Sequence, residues 1–587
     1  MRMNRKGASA IALGLGVAFT AAACGGGAGA ADVVPAPAPA VEGGVATPDY
    51  VAEASLIGDA QRVGAMADFS FGDTFRATEP ITLDLLYRVH PGYPVENDWL
   101  IWSAFAENQN VTFNRTDVLM SDWDDRRNIL VGAGDFPMLV PVVWPGQQNP
   151  WATGGALLPV SDFFAYMPHF MHYVNEWGVA SELENQRSAD GNIYILPGFR
   201  QAPNIEHSFA INQDLFSAAG FGEDWQPATF DELAEALVAV QNATDVQFAF
   251  SDRWTDSAPL GAAQNFVGPN FDTQGGWGLS TTRFNFEQDQ FIANPLSDGF
   301  RDMIGWFAGL MQAGAMDPDI TQDDDLAVEK FINGRSAMIT SNFQQLNATL
   351  RGGAAEAGIA LNARMIVVPA GTQNSIAGSL IGPGFVLNAN IANDPNFLAT
   401  LQFLDWILYS EEGREFAQWG VEGVTFGRDA EGNRIYLDDI NGNGGAFLNP
   451  NFASIEDEAL RAEAVAAGRP LNATFGFQDG VWMNTWGGSN DLVQSVMPAE
   501  QRAWVAAMAD AKDIIPASPA APLDELTAET VNMINTNIND IVHARVAEFI
   551  LGTRSMDQWD AFRAEIEGMG IMTSVDALNA SLAARRG

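Results

Sequence analysis

The chain holds a single cysteine, and it stands at position 24 of 587 residues. Internal disulfides are thereby excluded, so everything after it must fold on hydrophobic burial alone. Hydrophobic residues make up 47% of the chain and aromatics 10%, ample for a large core. Ahead of Cys24, the basic residues Arg2, Arg5 and Lys6 precede an uncharged run of small and apolar residues from Ala8 to Ala23. A basic start followed by such a run reads as a secretory signal peptide over residues 1–23.

That run closes on Ala21, Ala22, Ala23 and Cys24, which resembles a bacterial lipobox, in which the cysteine takes palmitate and becomes the first mature residue. The alternative is an ordinary cleavage site with Cys24 incidental. Residues 24–48 then turn to Gly, Ala and Pro, with Pro35, Pro37 and Pro39 alternating, the composition of a flexible tether. No later stretch offers the roughly 18 consecutive apolar residues of a spanning helix. The expected attachment is therefore a lipid anchor at the cell membrane, facing the extracellular or periplasmic side.

Charge narrows the partners. The 30 basic and 73 acidic residues leave a formal charge of -43, which argues against nucleic acid and against anionic lipid as ligands of the body. Simple solubility explains the acidity without a ligand. Length gives a prior of about four domains at roughly 150 residues each, and two large lobes satisfy it equally.

Short apolar strands alternate with capped helices, the pattern of α/β layers. Ile81–Tyr87 and Phe136–Val143 read as strands. Thr229 and Glu232 form a capping box before Phe230, Leu233, Leu237 and Val240, which share one helical face. Phe397, Leu401, Leu404 and Leu408 share another, and Ser410 is placed to cap a helix stopping at Gly420. Near the end, Ser555 and Gln558 make a second box before the stripe of Trp559, Phe562 and Ile566.

Five stretches in order carry a likeness: Val131–Pro137; Asp190–Pro197; Ile211–Phe216 with Pro227–Leu233; Phe331–Met338; and Leu401–Phe426, followed by the helical ending Ser555–Leu582. In this order they resemble the extracellular solute-binding proteins of carbohydrate ABC importers, in particular the large lipoproteins of oligosaccharide uptake. The chain departs from that pattern in its linker and over about 427–530. The resemblance implies an α/β, two-lobed periplasmic-binding-protein-like fold with a hinged cleft. Lobe 1 is then 79–203 with about 384–426, and lobe 2 is 204–383 with about 427–587. The crossings fall near Pro197–Asn204 and Gly378–Phe385, where Gly382-Pro383-Gly384 supplies backbone freedom. It further implies a carbohydrate ligand, permease subunits as partners, a monomer, and no catalytic residue or obligatory cofactor.

Sugar rings need flat apolar surfaces and planar hydrogen-bonding side chains. Trp outnumbers Tyr 16 to 8, and several Trp lie in turn-rich segments. Trp144 and Trp151 flank a Pro-Gly-Gln loop after a strand; Trp254 follows Arg253; Trp277 sits among glycines; Trp482 and Trp486 bracket Met483–Thr485. These six, with Arg200 beside the first crossing, are candidate ligand contacts. Asn342 and Phe343 join them through the resemblance. For each Trp, packing into a core competes evenly with ligand contact, and for Arg200 a hinge salt bridge does so. Trp406 and Trp559 read as core.

Asp439, Asn441, Asn443 and Gly444 fit the opening of a calcium loop, yet Pro450 stands where its closing Glu belongs, and a plain Asn-Gly turn is the competing reading. His169 and His172 read as surface or packing residues. Two other functions stay open: a surface glycosidase or polysaccharide lyase, which needs paired acids among 73 carboxylates, and a peptide receptor with charged anchors for peptide termini.

Overall fold

In the computed structural model the described residues are 50, 54–188, 190–255, 258–437, 439–442, 468–482 and 488–586. The signal segment, the tether, Cys24, Asn443 and Trp486 fall outside them. In chain order the framing strands are β1 (Ile81–Val89), β2 (Val111–Leu119), β3 (Leu139–Val143), β4 (Leu196–Phe199), β5 (Ser208–Asn212), β6 (Phe248–Phe250), β7 (Ser336–Ser341), β8 (Ala363–Met365), β9 (Ser375–Ala377), β10 (Ile381–Leu387) and β11 (Asp513–Ile515). The first sheet has the order β2-β1-β3-β10-β4 and the second β8-β5-β7-β6. β9 pairs separately with β11.

Strand direction decides where loops collect. β1 runs parallel to β2 and β3, while β10 is antiparallel to both β3 and β4. Val89, Leu119, Val143 and Phe199 therefore end at one edge, where β10 begins with Ile381 opposite Phe199. In the second sheet β5 starts at Ser208 opposite Ser341, the end of β7, and β6 lies parallel to β7. Residues 200–207 thus carry the chain from the loop-bearing edge of one sheet to that of the other. Such edges are where open α/β sheets hold ligands.

Each sheet has its own apolar core. The first gathers residues between Tyr50 and Phe199 and between Leu380 and Leu492. The second gathers Ile205 to Val368 and Trp504 to Val575. The chain passes between them over 200–204, 369–379 and 493–503. The described residues of 427–437, 439–442, 468–482 and 488–492, expected in lobe 2, pack in the first core through Tyr436, Ile440, Phe475, Phe477, Trp482 and Leu492. Phe477 lies edge-on to Phe416 at 5.1 Å, so aromatic burial holds this segment to the first body.

The glycines expected at the second crossing are inside β10 instead. Gly384 is needed for close approach: a Cβ there would stand 1.9 Å from the Leu196 oxygen of the neighbouring strand. The helix expected from one apolar stripe, Phe397–Tyr409, is buried on every side. Thr229 caps Phe230–Ala243 by accepting from Glu232 N at 3.2 Å, and Ser410 caps Glu411–Trp419. Ser555 caps only a single turn, Met556–Gln558, before the helix Trp559–Gly568. Among the described residues no helix is long and apolar enough to cross a membrane.

Candidate functional site

At the edge of the second sheet, β6 ends and the chain enters Ser251–Thr255. Trp254 holds φ +60, a left-handed conformation that costs a bulky residue about 1–2 kcal/mol. It is held there: its N–H donates to Asp324 Oδ1 at 2.6 Å, and the Arg253 guanidinium lies 4.3 Å from its ring centre. Arg253 in turn donates to Asp324 at 3.1 Å and Gln345 at 3.2 Å. Among the described residues its Nε and Nη1 have no partner, although the residue is 4% exposed. Strain fixed by surrounding bonds is the mark of a built site rather than a loop accident.

Trp277 stands beside Trp254, ring centres 5.8 Å apart and planes at 45°, and is 42% exposed. Glycines put it there. Gly276 has φ +57 and lies against the Gly261 carbonyl, while a Cβ on Gly261 would meet Trp277 Nε1 at 2.7 Å. His207, at the end of the first crossing, presents its ring nearly perpendicular to both indoles, 5.7 Å from Trp254 and 6.2 Å from Trp277. Glu206 receives Asn204 Nδ2 at 2.9 Å and Asn342 Nδ2 at 3.5 Å. The result is an aromatic shelf edged by a carboxylate and amides, the pairing that sugar rings require.

Beneath the shelf, Asp252 is wholly buried, and burial pushes its carboxyl up to about 7 against a 2.6 Å hydrogen bond from Thr340. Asn342 caps the short helix that starts at Phe343 by accepting from Gln345 N.

Trp144, 53% exposed, sits just after β3 on the first sheet's edge. There the His90 and Tyr93 rings stack at 4.0 Å and 7° in the loop after β1. Asp479 is buried nearby and pushed up to about 6 by desolvation, with Arg88 opposing the shift. Arg200 lies under the hinge, its N–H donating to Leu380 O at 2.8 Å and its Nη1 to Ile381 O at 3.3 Å. Burial lowers its pKa while Glu206 and Glu182 oppose that. It ties the start of the first crossing to the start of β10.

Of the expected contacts, Trp254, Trp277 and Asn342 come together in the second lobe, and Trp144 and Arg200 stand on the first sheet's edge. Three are corrected to core. Trp482, 2% exposed, packs among Phe105, Phe113, Phe385 and Phe403. Phe343 is 3% exposed against Trp504. Trp151 is 9% exposed with Arg127 across its ring at 5.2 Å. Turn-rich sequence around a Trp does not tell whether its ring points outward; large aromatics beside turns often anchor them. Glu206, His207, His90 and Tyr93, which no sequence motif marks, stand with Trp254, Trp277 and Trp144 at the two edges. The polar run Asn204–His207 directly before the apolar β5 was the available signal.

His169 is a packing residue: its Nδ1 donates to the buried Asp405 at 2.8 Å and its Nε2 accepts from Gly72 N at 3.0 Å. His172 stacks on Phe71 at 3.8 Å.

Two sheets joined by a three-pass hinge, with ligand-type side chains at both loop edges, define a two-lobed binding protein. Residues 101–424 match the bacterial extracellular solute-binding protein family, and the chain belongs to it. It is similar to FusA of Streptococcus pneumoniae serotype 4, a fructooligosaccharide ABC transporter substrate-binding protein, with 26% identity over 198 residues. That alignment covers 30% of this chain and 36% of FusA, about a third of its length. Among solved structures, the alginate-binding protein AlgQ2 without calcium ion gives a TM-score of 0.60 at 16% identity, covering 86% of this chain and 99% of that one. FusA of S. pneumoniae with kestose gives 0.59 at 15% identity over 86% and 99%. An HMO-binding solute-binding protein from Bifidobacterium longum infantis gives 0.58 at 16% over 86% and 98%. At such identities the likeness is one of fold.

Calcium figures among these structures, one FusA being an EF-hand mutant. Of the three candidate ligands only Asp439 and Asn441 are described, Asn443 lying outside the described residues. Arg469 clamps the Asp439 carboxylate with two hydrogen bonds of 2.8 and 2.9 Å, and Asn441 is 2% exposed within a two-residue strand. No group of three His, Cys, Asp or Glu suited to a metal exists among the described residues.

Proposed function

We propose that this protein captures an oligosaccharide by closing its two lobes on it and delivers it to the permease of an ABC importer. The observation that carries this reading is the shelf of Trp254, Trp277 and His207 at the hinge-side edge of the second sheet. Flat apolar faces stack on the C–H faces of sugar rings, and the rim of Glu206, Asn204 and Asn342 supplies paired acceptors and donors for adjacent hydroxyls. Trp144, His90 and Tyr93 on the facing lobe complete the contact in the closed state. A ligand touching both lobes favours closure by its differential affinity, and closure is the shape a permease reads. The names of the relatives point to glycans as well.

No covalent step is required, so the protein acts as a receptor and not as an enzyme. Cys24 carries the lipid, residues 25–48 form the tether, and the body works as a monomer outside the membrane. Replacing Cys24 with Ala is expected to release the protein into the medium.

The test is calorimetric titration of the body with kestose, maltotriose, trimannuronate, lacto-N-tetraose and di- and tripeptides, with each mixture then analysed for products. Saturable binding of one glycan, recovered intact, supports the reading. Cleavage of a glycan turns it to an enzyme, and binding of peptides alone removes the sugar.

A further inference from the structure

A cavity of about 170 Å³ opens beside the shelf, at the hinge itself. Asn204, Glu206 and His207 of the first crossing form one wall, Ile376 and Ala377 of β9 a second, and Met508 of the helix after the third crossing closes it. Asn265 completes the polar lining. The cavity is continuous with the shelf by two residues. His207 faces the cavity and both indoles, and Asn265 Oδ1 lies 2.4 Å from where a Cβ of Gly278, next to Trp277, would be.

A volume of about 170 Å³ gives the cavity room for one pyranose or furanose ring. Its polar groups suit vicinal hydroxyls: the Glu206 carboxylate accepts, while the amides of Asn204 and Asn265 both donate and accept. Ile376 and Ala377 offer an apolar side to a ring face. The backbone behind is fixed, because β9 is laced to β11 and a Cβ on Gly378 would meet Ile514 at 2.0 Å.

The geometry points to an end subsite: the cavity takes the terminal, uncharged monosaccharide of the glycan whose next ring lies on Trp254 and Trp277. The protein therefore reads a chain end and not an internal stretch. Because Asn204 of the first crossing and Ile376 and Ala377 of the second line the cavity, the terminal ring is also the unit through which occupancy is felt at the hinge. This rests on the glycan reading above.

The test uses D-glucose, D-fructose, D-mannose and D-galactose as free monosaccharides, followed by tryptophan fluorescence, alongside whichever trisaccharide of the panel binds. Ala377 is exposed on its strand, so Ala377→Trp fills the cavity without opening a core; Asn204→Ala is the milder second variant, and thermal melts confirm that both fold. One monosaccharide is expected to bind in the millimolar range and to compete with the trisaccharide. Ala377→Trp should abolish it and weaken the trisaccharide by about tenfold or more, while Trp277→Ala weakens the trisaccharide and spares the monosaccharide. If the trisaccharide binds but Ala377→Trp and Asn204→Ala leave it unchanged, or no monosaccharide competes, the end subsite is wrong and the glycan reading stands. If nothing in the panel binds, the glycan reading falls and takes the subsite with it.

Discussion

A Cβ on Gly276 would lie 1.9 Å from the carbonyl oxygen of Gly261. The two backbones touch, and this contact is what brings the Trp277 indole over Trp254. With φ +57 as well, Gly276 has no tolerated replacement. Gly276→Ala is expected to lose ~2 kcal/mol or more of stability and to separate the indoles. A folded variant retaining full glycan affinity would show that the shelf is not the contact surface.

Two tryptophans should behave in opposite ways. Trp254→Ala removes a stacking surface at the site and should lower glycan affinity by about tenfold or more with modest change in melting temperature. Trp482→Ala empties the space between Phe105, Phe113, Phe385 and Phe403 and should cost about 3–5 kcal/mol of stability. Titration and urea denaturation of the two variants side by side check this.

Asp252 gives the protein a pH signature. Its folded carboxyl sits at about 7, above the unfolded value near about 3.9, so between these the folded state binds the extra proton. Its contribution is fully present below about pH 4 and is lost as pH rises through 7. The melting temperature of the native protein should fall more between pH 4.5 and 7.5 than that of Asp252→Asn, about the range those pKa values define. Parallel curves would remove Asp252 as the source.

His169 and Asp405 anchor the first lobe. Asp405 accepts from His169 N, Phe170 N and His169 Nδ1 at 3.0, 2.8 and 2.8 Å, all out of solvent. His169→Ala leaves part of that carboxylate unanswered and should cost about 2–4 kcal/mol in urea denaturation. Metal addition or chelation should leave this region unchanged, since both imidazole nitrogens are already bonded.

Many of the local elements, and the class, were legible in the residues alone. Strand-forming runs such as Ile81–Val89, the caps at Thr229 and Ser410, and the helix at Phe230–Ala243 follow from nearest-neighbour chemistry that a chain carries wherever it folds. The ordered motifs likewise carried the two-lobed family. Which side of a loop each large ring faces was settled by packing between distant segments. Trp254 and Trp482 both lie in turn-rich sequence, but the first is pinned outward by Asp324 and Arg253, while four phenylalanines from distant segments close over the second. The placement of Tyr436, Phe477 and Leu492 in the first core and of His207 beside two tryptophans depends on the same long-range packing. Burial is a property of residues brought together across the fold, and no local pattern contains it.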